Sequence, residues 1–237
     1  MMAMRAIGGS PFGRAAAALP AFCQGQSDRA WRLRVDLREA SGDVVALVGD
    51  VVEIEQQFHL IAKGVARIQV QPRVRRQKEI VCGGRRLLAA WRASGRPLIH
   101  VRHDSAEPGS PFAPGQPGND LRPGFEPRAG EPLLTKSVNS AFIGTDLDLR
   151  LKRLGAKHVV TFGISTDMCV STTVRTGANM GWDMILVPDA CDCFDLPDGS
   201  GGTVPAEEVQ RAHVATLAFE FCRTLATSEL TGLRQAA

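Results

Sequence analysis

Three side chains in this 237-residue chain could together perform acyl transfer: the thiol of Cys169, the ammonium of Lys136 and the carboxylate of Asp50. A thiolate is a strong nucleophile, and a nearby ammonium favours it over the thiol. A carboxylate can take the thiol proton and pass it to a leaving amine. Each residue type also has a plain structural use. Cysteine is often a small buried hydrophobe, lysine is usually a surface cation, and aspartate commonly ends a strand. On position alone, nucleophile and core thiol are equally good readings of Cys169. Lys136 and Asp50 gain a chemical use only beside it.

The elements that must position these groups are clearest over residues 158–190. The apolar run His158 to Phe162 reads as a buried strand, broken by Gly163 and the polar turn Ile164-Ser165-Thr166-Asp167. A helix is expected from Met168 to about Met180, with Gly181 as its C-cap glycine. Asp183 to Val187 is a second strand, stopped by Pro188-Asp189. This is a parallel strand–helix–strand crossover. It places Cys169 in the first turn of the helix, where unpaired backbone N–H groups can bind an oxyanion. Lys136 ends the short strand Leu133–Lys136, and Asp50 ends the apolar run Asp43–Asp50. Strand carboxyl ends are where open α/β sheets bind ligands.

Elsewhere, Glu79 to Ser94 reads as an amphipathic helix weakened by Gly83-Gly84, followed by a strand over Pro97 to Val101. Residues 103–131 are rich in Pro and Gly and form a long loop of the lid or binding type. Thr145 reads as the N-cap of a helix over Asp146 to Leu154, and Pro205 to about Leu225 as a long helix. Thr227 to Leu233 is an edge strand or tail, and residues 51–78 carry apolar residues at both the helix and the strand period, which leaves the two open. The rhythm predicts an α/β fold: one Rossmann-like, three-layer α/β/α domain with a mostly parallel sheet of about six strands. Residues 1–30 are expected to be a loosely ordered arm, and 31–237 the domain.

Composition removes several classes. A net charge of +3 and the absence of Tyr argue against nucleic acid as a partner. The six cysteines are scattered, with a Cys191-Asp192-Cys193 pair but no CxxC or zinc set. Five of them read as structural thiols of a reducing compartment. There is no run of about 18 apolar residues, so no membrane is expected. The stretch after Arg14 has too short an apolar core for a signal peptide, and the expected location is cytoplasmic.

The sequence Thr161-Phe162-Gly163-Ile164-Ser165-Thr166-Asp167-Met168-Cys169-Val170, then Thr173, Arg175, Gly181 and Val187-Pro188-Asp189-Ala190, resembles the isochorismatase-like cysteine hydrolase family. That family includes nicotinamidases, N-carbamoylsarcosine amidases and streptothricin hydrolases. Lys136 with Asn139-Ser140-Ala141-Phe142 resembles its second block, and Arg86 to His103 its first helix and second strand. The resemblance covers about residues 86–225. It implies a cofactor-free hydrolase of a small amide, acting through an Asp–Lys–Cys triad of Asp50, Lys136 and Cys169. It also implies a cis peptide between Ile164 and Ser165 and an oxyanion hole at the Ser165 and Cys169 amides. Phe142 and His103 would bind substrate, and the assembly would be a homodimer or homotetramer.

Two departures from the family pattern narrow this reading. His100-Val101-Arg102-His103-Asp104-Ser105 lacks the Asp-x-His metal cluster of nicotinamidases, so no metal is expected. Val51-Val52 follows Asp50 where the family has x-Gln, which leaves the first 85 residues poorly matched. Members that cleave a vinyl ether typically lack the cysteine, so Cys169 favours amide chemistry. Vinyl ether hydrolysis on the same scaffold and a non-catalytic member are the alternatives.

Overall fold

The computed structural model describes residues 44–49, 58–59, 69–70 and 74–231. Its strands, numbered in chain order, are β1 (Val44–Val48), β2 (Phe58–His59), β3 (Gln69–Val70), β4 (Leu98–His103), β5 (Leu133–Lys136), β6 (His158–Ile164), β7 (Asp183–Asp192), β8 (Leu196–Pro197), β9 (Thr203–Val204) and β10 (Cys222–Thr224). Six of these form one parallel sheet in the order β10-β7-β6-β1-β4-β5. The chain builds outward from β1 through β4 to β5. It then returns to the other side of β1 for β6 and proceeds to β7 and β10. The reversal lies between β1 and β6, and the carboxyl ends there form the crevice such sheets offer a ligand.

Both faces of the central strands are covered. Val45, Ala46, Leu47 and Val48 of β1 are consecutive and each at most 2% exposed. Adjacent strand residues point to opposite faces, so continuous burial requires a layer on each side. The helices are α1 (Val74–Ser94), α2 (Leu147–Arg153), α3 (Ser171–Asn179), α4 (Ala206–Glu220) and α5 (Thr227–Leu230). The α/β class and the six-stranded parallel sheet are those expected from the sequence.

Several element boundaries differ, each for a local reason. Helix α1 begins at Val74 and runs through Gly83-Gly84 without a break. Those glycines are points of close approach: a Cβ on Gly83 would lie 3.1 Å from the Asp189 carbonyl, and one on Gly84 3.1 Å from the Phe125 ring. Strand β4 reaches His103, beyond the expected Val101. Strand β7 does not stop at Pro188-Asp189 but continues to Asp192. Its pairing with β6 jumps from Thr161↔Leu186 to Gly163↔Cys191, so Pro188, which has no N–H for the ladder, falls in a bulge. Helix α4 ends at Glu220 rather than Leu225, because Cys222–Thr224 pairs with β7 as the edge strand. The segment from Thr227 is a short helix, its first N–H held by the Asp189 carboxylate at 2.9 Å.

The long loop between β4 and β5 is fixed at three places. The Asn119 amide nitrogen donates to the His103 carbonyl, to Asp104 Oδ1 and to the Phe112 carbonyl. Phe125 is buried against Gly84. Glu131 accepts two hydrogen bonds from Arg92, both at 2.7 Å, one from the Arg128 amide and one from His100 Nε2 at 2.9 Å. The Arg92 guanidinium is the main cause that lowers the Glu131 carboxyl to about 2.

Two predictions follow from these contacts. Gly163 has φ +141°, and a Cβ there would lie 2.8 Å from the Gly49 backbone, so Gly163→Ala should cost about 2 kcal/mol or more. An unchanged denaturant midpoint would contradict the close approach of β1 and β6. Glu131 titrates lower when folded than its usual 4.5, so its ionised form stabilises the fold. That contribution is complete above pH 4.5 and lost as pH falls toward about 2. Glu131→Gln should cost about 1.5–3 kcal/mol at neutral pH and flatten the acid limb of stability. An acid limb identical to that of the unsubstituted chain would refute this tether.

Candidate active site

The ends of four neighbouring strands converge. His103 closes β4 and Lys136 closes β5, and the two are direct register partners in adjacent parallel strands. Their side chains therefore project from the same face at the same level. Gly49 follows β1, and the turn after β6 carries Cys169. Lys136 is 4% exposed, and its Nζ lies 3.2 Å from Cys169 Sγ and 3.1 Å from His103 Nδ1. Asn139 Oδ1 lies 3.9 Å from the same sulfur. Burial first, and then the Lys136 charge, lowers the His103 pKa.

Cys169 sits one element earlier than the sequence suggested. Thr166–Val170 forms a single π-type turn, and the α-helix begins only at Ser171. The Met168 and Val170 amides both donate to the Ser165 carbonyl, at 3.3 and 3.1 Å. Thr166 is fully buried and its hydroxyl donates to the Asp192 carbonyl, tying the turn to the end of β7. The peptide between Ile164 and Ser165 is cis, as the family resemblance implied. A small cavity beneath Lys136 and Cys169 is lined by Leu47, Gly49, Val101 and Thr173.

Of the residues singled out from the sequence, Cys169, Lys136 and His103 are in mutual contact through Lys136. Ser165 is buried at the start of the π turn. Phe142 packs on α3, its ring 3.0 Å from where a Gly177 Cβ would be, and its neighbour Ala141 lines the cavity instead. Asp50 lies outside the described residues. Three contributors had no role assigned from the sequence: Asn139 and Thr173 stood in the family pattern without one, and Phe112 stood only as part of the long loop. Thr173 lies four residues after Cys169 and holds the Ala141 amide through its hydroxyl at 3.0 Å. Phe112 meets the His103 ring edge-on at 6.3 Å. The i, i+4 spacing of Cys169 and Thr173 was the legible signal, since such residues share a helix face.

The other described thiols contrast with Cys169. Burial pushes Cys191, Cys193 and Cys222 up to about 12, which keeps them protonated and inert. Cys82 is exposed on α1, and Cys23 lies outside the described residues. Among the described residues no group of three or more His, Cys, Asp or Glu is placed to hold a metal ion, and no helix is long and apolar enough to cross a membrane.

Comparison with known proteins places the chain in a family and matches its fold. The isochorismatase domain matches residues 52–219, so it begins just past Asp50 and takes in a stretch where the motifs alone show no family pattern. YrdC of Bacillus subtilis (strain 168), an uncharacterized isochorismatase family protein, is 37% identical over 145 residues, 61% of this chain and 78% of its own length. A streptothricin hydrolase of Streptomyces noursei is 34% identical over 130 residues, 54% of this chain and 47% of that protein. A solved structure of an isochorismatase-family hydrolase from Chromobacterium violaceum ATCC 12472 superposes with a TM-score of 0.68 at 39% identity, covering 82% of this chain and 94% of its own. With the domain match spanning most of the chain and hydrolases among its relatives and structural neighbours, this chain belongs to the isochorismatase family and is a hydrolase.

Proposed function

We propose that the chain is a cysteine-dependent amidohydrolase acting on a small, non-peptide C–N bond. One observation carries the reading: the buried Lys136 ammonium stands 3.2 Å from the Cys169 sulfur. An ammonium at that distance favours the thiolate, the form that attacks a carbonyl carbon. The streptothricin hydrolase relative supports hydrolysis as the reaction type. Gly49 lines the cavity beneath the thiol and lysine, which supports the next residue, Asp50, as the carboxylate of the set.

In this mechanism Asp50 takes the Cys169 proton, and the sulfur adds to the amide carbonyl. The negative oxygen of the tetrahedral adduct is held by the Ser165 and Cys169 amides. The C–N bond breaks as the Asp50 carboxyl returns the proton to the leaving nitrogen. An acyl thioester on Cys169 remains. The same carboxylate then deprotonates water, which adds to the thioester and releases the acid and the free thiol. Atoms balance as amide plus water giving acid plus amine.

Cys169→Ala should abolish turnover on an amide panel, by more than about a thousandfold, with the denaturant midpoint unchanged. Hydrolysis that survives in this variant would end the proposal. Rapid acid quenching during turnover should also trap an acyl mass increment on the Cys169 peptide, whereas a reaction without a thioester leaves that peptide unmodified.

A further inference from the structure

Lys136 does not face the thiol alone. Its Nζ is shared between Cys169 Sγ and His103 Nδ1, at 3.2 and 3.1 Å. An ammonium has three donors and no lone pair, so the His103 nitrogen that meets it must be the acceptor. The imidazole is then neutral, with its proton on Nε2. We propose that His103 is a positioning residue, whose Nδ1 accepts from Lys136 and so holds the ammonium against the Cys169 sulfur. The inference rests on the reading of Cys169 as the nucleophile.

The surroundings fix the ring where this role requires it. His103 and Lys136 are register partners, and the Asp104 amide donates to the Lys136 carbonyl at 2.8 Å, locking the two strand ends together. Asn119 donates to the His103 carbonyl at 2.9 Å. The Phe112 ring meets the imidazole edge-on at an interplanar angle of 78°. A lysine head on four methylenes has many rotamers, and two fixed acceptors select the one that touches sulfur.

The charges around His103 set its protonation. Lys136 faces it from β5, Asp104 and Glu107 from the segment that follows it, and Cys169 meets the same ammonium from the π turn. Burial and Lys136 outweigh the two carboxylates and the Val138 backbone carbonyl, and lower the His103 pKa so that the ring stays neutral. Protonation at acid pH would set an N–H against an ammonium and release Lys136 from the thiol.

The test is the pH profile of Cys169 alkylation by iodoacetamide, followed on the Cys169 peptide by mass spectrometry, which needs no substrate. His103→Leu should raise the thiol midpoint by about one unit, slowing alkylation about tenfold on the acid side. His103→Asn places an amide oxygen near the position of Nδ1 and should recover the wild-type rate to within about threefold. Lys136→Met should shift the midpoint at least as far as His103→Leu. The double variant should shift no further than Lys136→Met alone, because the histidine acts through the lysine. A His103→Leu profile that overlays the wild type, or additive shifts in the double variant, would overturn the proposal. Should His103→Leu not fold, His103→Gln replaces it, since its amide lies nearer Nε2; equal rates for the Gln and Asn variants would then overturn it. Hydrolysis retained by Cys169→Ala would instead defeat the nucleophile reading, and the alkylation profiles would still report separately on the His103–Lys136 contact.

Discussion

The contact on which the site depends is a buried ammonium held against a sulfur. Lys136 is 4% exposed, and a cation taken out of water is costly unless other groups replace its hydration. Here the Cys169 sulfur and the His103 ring nitrogen, at 3.2 and 3.1 Å, do part of that work. The arrangement is reciprocal. The lysine needs electron-rich neighbours, and in the proposed reaction its charge in turn favours the Cys169 thiolate over the thiol. In the three buried thiols burial outweighs every favourable neighbour, Arg175 beside Cys222 included, and pushes them up to about 12.

Parallel pairing makes the contact possible. The order β10-β7-β6-β1-β4-β5 brings the carboxyl ends of β1, β4, β5 and β6 side by side, although their residues are far apart in sequence. The backbone approach of Gly49 and Gly163, with no side chain between them, brings the end of β1 close to the turn that bears Cys169. The long loop closes the other side. Its ordering does not come from regular structure but from Asn119, Phe125 and Glu131, each of which ties it to the sheet or to α1. The loop thereby supplies Phe112 at a fixed angle to His103.

Much of this was legible in the sequence, and what was not has physical causes. The alternation of apolar runs with helical stretches gave the sheet, because buried parallel strands read as continuous hydrophobic segments. The polar turn after His158–Phe162 and the family pattern around it singled out Cys169, and a strand end singled out Lys136. Punctuation residues misled more than once. Pro188 reads as a stop, yet a bulge removes it from the ladder. Gly83-Gly84 reads as a weak helix, yet those glycines are what let α1 touch β7 and Phe125. The edge strand Cys222–Thr224 has three residues and no period to detect. The link from His103 to Lys136 depends on strand register, which spacing along the chain does not encode. Asp50, the carboxylate the sequence singled out, lies outside the described residues.

The most direct test of the central claim is the ultraviolet thiolate absorbance of Cys169, taken as the difference between the unsubstituted chain and Cys169→Ser across a pH titration. The Lys136 contact predicts a thiolate that persists at neutral pH, with a midpoint clearly below the ordinary value of about 8.5. A midpoint at or above that value would show that the ammonium does not activate the thiol, and the account of this site would fail.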